Sequence, residues 1–297
     1  MSRGGRVQRV GVVAKVASRE AVHTAHEMAE WLRRRDIEVV LDEATLRARG
    51  LESEPSFRAS DTYDLVVVLG GDGTLLSVAR TLSSGVAILG VNLGNLGFLT
   101  EINRGDLYPT LLQVLAGNCE TEARSLLDVE LRRNGGGSLS FRVLNDAVVT
   151  KSALARIIQL TLSVDGHLIA RYRSDGLIIS TPTGSTAYNL SAGGPIVNPL
   201  LPVVVLTPIC PHALALRPIV VPDSGLIEIS LETQREEVYL TLDGQEGTSI
   251  GHRDTLRITR GAGVVRLVKV NTRSFYDNLR VKLRWGGLGS EEPGTER

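Results

Sequence analysis

The sequence has 297 residues, of which 42% are hydrophobic and 22% charged, so it is long enough for two domains and ordinary for a globular protein. Lysine plus arginine and aspartate plus glutamate number 33 each, which gives no electrostatic reason to expect a nucleic acid or an anionic membrane as partner. Two cysteines make no disulfide framework, and the sequence contains no direct metal-binding motif and no signal-peptide or membrane-spanning pattern. We therefore expect a cytoplasmic protein.

The first hundred residues alternate between strand and helix patterns. Short apolar runs predict buried strands at Val10–Ala14, Ile37–Leu41, Leu65–Leu69 and Val86–Leu89. A helical spacing of apolar residues lies between the first two runs, and a second helical pattern extends from Thr74 to about Leu82. Such strands are typical of a parallel sheet with both faces covered by helices. We therefore predict that this half is an α/β nucleotide-binding domain.

From about Glu122 the apolar residues recur with a period of two. Ile158–Val164 alternates in this way and is followed by Asp165-Gly166, a dipeptide favoured in two-residue hairpin turns. Similar patterns at Ile227–Leu231, Val238–Leu242 and Leu256–Ile258 predict a mainly antiparallel β domain.

Apolar residues at intervals of four near the end of the chain predict a helix that runs through Trp285 and packs back onto the first domain. We therefore predict a discontinuous division of the chain. Residues 1–121 plus 272–297 form the α/β domain, and residues 122–271 form the β-rich domain.

The segment DLVVVLGGDGTLL places Gly70, Gly71, Asp72 and Gly73 between a buried strand and a helix. In open α/β sheets this crevice binds ligands, and glycines there let backbone amides approach a phosphate. A carboxylate repels phosphate, so Asp72 either caps the helix near Thr74 or serves catalysis. The sequence has neither a P-loop nor a G-x-G-x-x-G fingerprint, and the glycines of GVNLGNLGFL predict a second turn against the site.

Three later segments carry polar side chains at strand ends. Asn145-Asp146 interrupts a strand-like run, which favours a sheet end or a site, with a solvent-facing pair as the alternative. Hydroxyl groups crowd Thr181–Ser191, a density that suits hydrogen bonding to sugar, base or phosphate, with an ordinary polar turn as the alternative. Asp243-Gly244-Gln245 ends a strand and by itself indicates only a hairpin turn.

Taken together, these segments resemble the NAD kinase family. The matching motifs are GGDGT at Gly70–Thr74, Asn145-Asp146, TPTGSTAYNLS at Thr181–Ser191, PHALALRPIVVP at Pro211–Pro222 and Asp243-Gly244-Gln245. They follow the family's order from about Val7 to Trp285. GGDGT is shared with diacylglycerol and sphingosine kinases, whereas TPTGSTAY is the specific segment.

The resemblance implies a Rossmann-like N-terminal α/β domain with a mainly antiparallel β-rich C-terminal domain, and a site between them. It implies transfer of a phosphoryl group from ATP, with Mg²⁺ as divalent metal, to the 2′-hydroxyl of the adenosine ribose of NAD. It also implies a homodimer or homotetramer in which a neighbouring subunit helps to complete the site.

The resemblance also assigns roles by position. Asp72 is the expected proton acceptor, and Asn145 and Asp146 are expected to engage the ribose hydroxyls, although many relatives carry Asn-Glu there. Gly70, Gly71 and Gly73 are expected to hold donor phosphates. The further nucleotide-binding positions are Arg156, Arg173, Asp175, Thr183, Thr186, Ala187, Tyr188, Asn189, Leu190, Ser191 and Gln245.

Two alternatives remain beside this interpretation. A diacylglycerol-type lipid kinase would share the glycine turn, but it predicts an apolar acceptor pocket, and aromatic residues are only 4% of this chain. A non-catalytic NAD(H)-binding sensor could use the same scaffold, but it would gain nothing from a carboxylate beside phosphates.

Overall fold

The computed structural model describes residues 7–83, 85–94, 97–213, 215–233, 237–269 and 274–285, and within them it contains strands, α-helices and two short 3-10 helices. The strands are β1 Arg9–Ala14, β2 Glu38–Leu41, β3 Leu65–Leu69, β4 Ala87–Asn92, β5 Ile102–Asn103, β6 Glu120–Arg132, β7 Ser138–Val143, β8 Asp146–Lys151, β9 Ile158–Val164, β10 His167–Ser174, β11 Gly176–Ser180, β12 Val203–Ile209, β13 Ile219–Pro222, β14 Ile227–Leu231, β15 Val238–Leu242, β16 Glu246–Ile250 and β17 Thr255–Lys269. The helices are α1 Arg19–Arg33, α2 Glu43–Arg47, α3 Asp72–Ala79, α4 Leu107–Leu115, α5 Tyr188–Ser191 and α6 Phe275–Leu283, and the 3-10 helices are Arg104–Asp106 and Thr183–Thr186.

The N-terminal half is an α/β layer structure built on parallel strands in the order β4-β3-β1-β2. Alternate residues of β3 point into two separate cores. Leu65, Val67 and Leu69 pack in a core with α1 and α4, while Val66 and Val68 pack in a second core with α3. The predicted parallel sheet with both faces covered is therefore confirmed.

The C-terminal half is mostly antiparallel, as predicted. Six strands form an entirely antiparallel sheet in the order β13-β12-β11-β8-β15-β16. This sheet packs against β6, β9, β14 and β17 through a shared apolar core. At the hairpin between β9 and β10, Asp165 and Gly166 have φ angles of 50° and 76°, which is the backbone that the two-residue turn requires.

Strand β17 joins the two halves into one larger sheet, which the sequence patterns did not predict. It pairs antiparallel with β6 and β14, and near its end Arg266 and Leu267 pair in parallel with β4. The sheet order is β10-β9-β14-β17-β4-β3-β1-β2, with β5 beside β4, β6 beside β17 and β7 beside β6. The periodicity of neighbouring residues identifies a strand but not the strand with which it pairs. The pairing of β17 with β4 across the predicted domain boundary could therefore not be predicted from it.

The terminal helix α6 returns to the N-terminal half. Ser274 caps it, and Asp277 completes a capping box by accepting from the Ser274 backbone amide. The Asn278 side-chain amide donates to Glu101, which follows β4 and its loop, at 2.6 Å. Residues 286–297 of the predicted α/β domain lie outside the described residues. No helix among the described residues is long and apolar enough to span a membrane.

We expect the central strand β4 to be sensitive to loss of side-chain volume. Leu89 is fully buried in the core that β4 shares with α1, so Leu89→Ala should lower the free energy of unfolding by about 2–5 kcal/mol. The control is Leu112→Ala on α4, where the side chain is 51% exposed and the change should stay within about 0.5 kcal/mol. Urea unfolding of both variants measures the difference, and equal effects would contradict the placement of β4.

Candidate active site

The GGDG turn connects β3 to α3 and presents unused backbone amides. Gly71 is the N-cap of α3, and the helix begins at Asp72, two residues before the predicted start. The Gly70 amide donates to the carbonyl oxygen of Val91 in β4 at 2.9 Å, so it already has a partner in the sheet. No described residue accepts a hydrogen bond from the amides of Gly71, Asp72 or Gly73. Such amides at a helix N-terminus form a site for an anion.

The Asp72 carboxylate binds a neighbouring loop and does not cap its own helix. Its Oδ2 accepts from the Phe98 amide at 2.8 Å, and its Oδ1 accepts from the Leu99 and Thr100 amides, both at 3.1 Å. The Thr100 hydroxyl adds a fourth bond to Oδ1 at 2.9 Å. A carboxylate has about four lone-pair sites, two on each oxygen, so Oδ2 retains room for another donor.

The loop Gly97–Thr100, which we call the clamp loop, is shaped to meet this carboxylate. A Cβ at Gly97 would overlap the Asp72 carboxylate, so the close approach requires glycine. Thr100 is fully buried, and its hydroxyl also accepts from the Asn92 side chain at 3.1 Å. The second glycine-containing turn predicted from the sequence therefore lies against Asp72.

The Asn145-Asp146 pair is held by a third acid, Asp243. The Asp243 carboxylate accepts from the backbone amides of Leu144, Asn145 and Asp146 at 3.1, 2.7 and 3.1 Å. The Asp146 side chain is buried, which excludes the solvent-facing alternative for this acid. The Asn145 Oδ1 atom is buried and has no partner among the described residues. A buried, unsatisfied amide oxygen of this kind indicates a place for a ligand donor.

The two buried acids affect each other's ionisation. Burial raises the pKa of Asp146 to about 7, and the nearby Asp243 charge contributes to the rise. Burial also raises the pKa of Asp243, but the three backbone amides and Arg80 oppose that effect. Asp146 is therefore the acid whose charge changes near neutral pH.

The hydroxyl-rich segment packs directly on Asn145. The Thr181 hydroxyl donates to the Leu144 carbonyl oxygen at 2.6 Å, and the Thr181 amide donates to the Asn145 carbonyl oxygen at 2.8 Å. A Cβ at Gly184 would overlap the Asn145 backbone, so only glycine permits this contact. The Thr183 hydroxyl is buried and, among the described residues, has no hydrogen-bond partner. This segment therefore offers a second unsatisfied polar atom.

Two members of the same segment support the loop from inside. The Ser185 hydroxyl donates to the Pro182 carbonyl oxygen at 2.6 Å. The fully buried Asn189 amide donates to the Ser185 and Pro195 carbonyl oxygens, both at 3.0 Å, and accepts from Thr207. With both donors and its oxygen engaged, Asn189 holds the loop, and its placement does not support the expected nucleotide contact.

The remaining residues of the segment lie around two cavities. Thr183 and Thr186 line a cavity that also contains Phe98. Ala187 and Tyr188 line a second cavity of about 400 Å³ together with Asn145, Asp146 and Asp243. Leu190 is half-buried and Ser191 is exposed, both on the short helix α5.

Gln245 and Arg80 fasten the glycine turn to the acid pair. The Gln245 amide donates to the Gly73 carbonyl oxygen at 2.5 Å. The buried Arg80 guanidinium donates to Gln245 Oε1 and Glu246 Oε1, both at 3.1 Å, and its Nε lies 3.7 Å from Asp243 Oδ2. Gln245, predicted as a nucleotide contact, therefore joins the two halves of the site.

Three residues that the sequence predicts as nucleotide contacts lie away from the Asn145-Asp146 pair of the same chain. Arg173 is exposed near the end of β10, Asp175 precedes β11, and Arg156 lies in the connection between β8 and β9. The Asn145-Asp146 pair meets β11 at its other end, where Asp146 pairs with Ser180. At about 3.4 Å per residue the five steps from Asp175 to Ser180 span roughly 17 Å.

Asp243 and Arg80 are site residues that the sequence reading missed. Asp243 occupies an Asp-Gly dipeptide at a strand end, so a hairpin turn explained it without any further role. Arg80 is the C-cap residue of the helix that Asp72 begins, and its position on that helix was the available signal. Both act through contacts between segments distant in sequence.

The chain matches two family models. The ATP-NAD kinase N-terminal domain covers residues 10–119, and the ATP-NAD kinase C-terminal domain covers residues 144–270. The NAD kinase of Geotalea daltonii is 47% identical over 284 residues, which cover 94% of this chain and 99% of that relative. The NAD kinase of Syntrophotalea carbinolica is 46% identical over 283 residues, with the same shares covered.

Two solved structures resemble the fold. The crystal structure of an NAD kinase from Archaeoglobus fulgidus in complex with ATP has a TM-score of 0.72 at 28% identity and covers 93% of this chain and 99% of that chain. The crystal structure of yeast NADH kinase complexed with NADH has a TM-score of 0.89 at 23% identity and covers 97% of this chain and 91% of that chain. The resemblance predicted from the motifs is confirmed, and it favours NAD kinases over the lipid kinases that share GGDGT.

The raised pKa of Asp146 predicts a pH-dependent effect of Asp146→Asn on stability. Its pKa is about 7 in the folded protein against 3.8 ordinarily, so the folded state holds this proton more tightly than the unfolded state does. The contribution of this group to the free energy of unfolding therefore falls as pH rises from about 4 to 7. Asparagine does not ionise, so Asp146→Asn avoids this loss of stability. At pH 8 the free energy of unfolding of the variant should exceed that of wild type by up to about 4 kcal/mol.

Urea unfolding of wild type and Asp146→Asn at pH 8 and near pH 4 measures this effect. The difference should shrink toward the lower pH, where Asp146 in the folded wild type is neutral like the asparagine of the variant. Asp106→Asn is the matched control, because Asp106 is exposed and makes no capping bond with its side chain. A less stable Asp146→Asn variant at pH 8 would show that ionised Asp146 is well accommodated in the fold.

Proposed function

The chain belongs to the ATP-NAD kinase family, and we propose that it transfers the terminal phosphoryl group of ATP to the 2′-hydroxyl of the adenosine ribose of NAD. One observation carries the assignment of roles. Gln245 and Arg80 connect two features: the helix N-terminus, where Asp72 has a spare acceptor position, and a cavity lined by Asn145, whose Oδ1 is buried and has no partner among the described residues. One side suits a phosphate donor and the other suits a polar acceptor.

The acceptor side binds the ribose. The buried Asn145 Oδ1 and the Asp146 carboxylate are the acceptors on this side, and one of them takes the hydrogen of the 3′-hydroxyl, so that the 2′-hydroxyl keeps its single hydrogen for Asp72. Asp243 holds the backbone of both residues through three amides, so neither side chain is free to shift without breaking those bonds. Thr183 adds an unsatisfied hydroxyl for the adenine or its ribose.

The donor side binds phosphates through the backbone. The amides of Gly71, Asp72 and Gly73 point outward from the N-terminus of the eight-residue helix α3. Within the described part of the chain, no three His, Cys, Asp or Glu side chains lie together as a metal cage. A Mg²⁺ ion carried by the donor phosphates would be held there through the Gly71–Gly73 amides that bind those phosphates, and it would neutralise part of their charge.

Asp72 orients the attacking hydroxyl. Its Oδ2 accepts the hydrogen bond of the 2′-hydroxyl, and the bonds from the clamp loop fix the direction of the carboxylate. The 2′-oxygen forms a bond to the terminal phosphorus as the bond to the ADP oxygen breaks, and the hydroxyl proton passes to Asp72. Phosphoryl transfer has a loose transition state, so orientation contributes more than basicity.

We further propose that the enzyme acts in the cytoplasm as a homodimer or homotetramer. Arg173 and Asp175 lie where β10 passes into β11, and Arg156 lies between β8 and β9, all away from the ribose pair of their own chain, yet the motif resemblance makes them nucleotide contacts. A neighbouring copy could place these residues at the site of the first. NAD and ATP are then the small-molecule partners.

Asp72→Asn should remove most of the turnover. The amide cannot take the proton, and its NH2 group faces one of the clamp-loop donors, so we expect kcat to fall by about 10²–10⁴-fold. The Kd for NAD should change little, because the ribose contacts at Asn145 and Asp146 stay in place. The assay incubates the protein with NAD, ATP and Mg²⁺ and follows NADP with an NADP-specific dehydrogenase.

The matched control is again Asp106→Asn, whose side chain is exposed and which should retain wild-type turnover. Near-normal kcat in Asp72→Asn would remove Asp72 from the chemistry. A folded wild-type protein that binds NAD and forms no NADP, with either ATP or polyphosphate as donor, would instead support a non-catalytic sensor.

A further inference from the structure

The clamp loop must itself be held in place if it is to orient Asp72. Its four bonds to the carboxylate fix the side chain relative to the loop only. The loop has no helix or strand of its own, and it continues directly into Glu101 and the short strand β5. Glu101 follows the four donors directly, so its contacts help to set their position together with the bond from Asn92 to Thr100.

Helix α6 provides that fastening. The Asn278 side-chain amide donates to Glu101 Oε1 at 2.6 Å. One turn further along, Lys282 Nζ lies 6.0 Å from the centre of the Phe98 ring. Phe275 and Asn278 line the same cavity as Phe98 and Leu99. The helix thus contacts both ends of the segment that binds Asp72.

The charge of Glu101 makes this contact selective for a hydrogen-bond donor. Burial raises the pKa of Glu101, and the Arg124 guanidinium opposes the rise. Arg124 is itself buried and donates to Glu122 at 2.6 Å, while Lys269 lies 3.6 Å from Glu122. The facing groups from β6 and β17 are therefore two cations that share one acid, and among the described residues the hydrogen bond to the Glu101 side chain comes from α6.

We propose that Asn278 and Glu101 are positioning residues, and that α6 holds the clamp loop in the conformation that orients the Asp72 carboxylate. Neither residue lines the cavity that contains Asn145 and Asp146. The consequence for turnover rests on the proposed role of Asp72, whereas the consequence for the loop does not. Loss of the contact lowers kcat and leaves the KM for NAD within about twofold, since the ribose-binding residues are fastened separately through Asp243.

A charge-swapped pair tests the proposal. Asn278→Asp is isosteric, but it places a second carboxylate against Glu101 and removes the donor. Adding Glu101→Gln to Asn278→Asp restores a donor and an acceptor in the opposite direction, with the same net charge as wild type. Val281→Ala is the control on the same helix, because Val281 is 59% exposed.

Two measurements are made on each full-length variant. The NADP-forming assay gives kcat and KM, and hydrogen–deuterium exchange followed by mass spectrometry reports the amides of residues 97–102. Asn278→Asp should lower kcat about 10-fold or more and speed exchange of these amides about 10-fold, since misplacing a catalytic group is costly. The double variant should recover most of both, and Val281→Ala should match wild type.

Unchanged kcat and exchange in Asn278→Asp would overturn the proposal, as would a loss of kcat with unchanged exchange or without recovery in the double variant. If the wild type forms no NADP, the proposed function fails, and exchange in the same variants still decides whether α6 holds the loop. Faster exchange in Asn278→Asp that reverts in the double variant supports the fastening, and equal exchange refutes it.

Discussion

The convergence of four hydrogen bonds on the Asp72 carboxylate is the interaction on which the arrangement of this site depends. Three of the donors are backbone amides, so the loop after β4 must adopt one backbone conformation for all of them to reach the carboxylate. Gly97 permits the approach, and the pairing of β3 with β4 brings the two turns to the same end of the sheet. The orientation of the Asp72 carboxylate therefore depends on the pairing of β3 with β4.

A second constraint is the burial of Asp146 beside Asp243. An acid whose pKa is raised to about 7 stabilises the fold less when ionised than a neutral side chain of the same shape would. Such a cost is expected where a polar group serves a ligand, because function and stability are often in conflict at binding sites. Arg80 and the three backbone amides limit the cost by stabilising the Asp243 charge.

Much of the fold could be predicted from the sequence, because the strands and helices follow the periodicity of the apolar residues. The parallel strands β1, β3 and β4 and the Asp165-Gly166 hairpin were predicted from local patterns. The joining of both halves through β17 was not, since it depends on partners far apart in the chain. For the same reason the motifs indicated Asp72 and Asn145, whereas Arg80, Asp243 and the internal role of Asn189 emerged only from tertiary contacts.

A crystal structure with NAD bound tests the central claim most directly. The account predicts that the 2′-oxygen of the adenosine ribose lies within about 2.6–3.2 Å of Asp72 Oδ2 while Oδ1 keeps its bonds to Leu99 and Thr100. It would be contradicted by a ribose whose 2′-oxygen lies away from Asp72, or by an Asp72 carboxylate that leaves the clamp loop when the nucleotide binds.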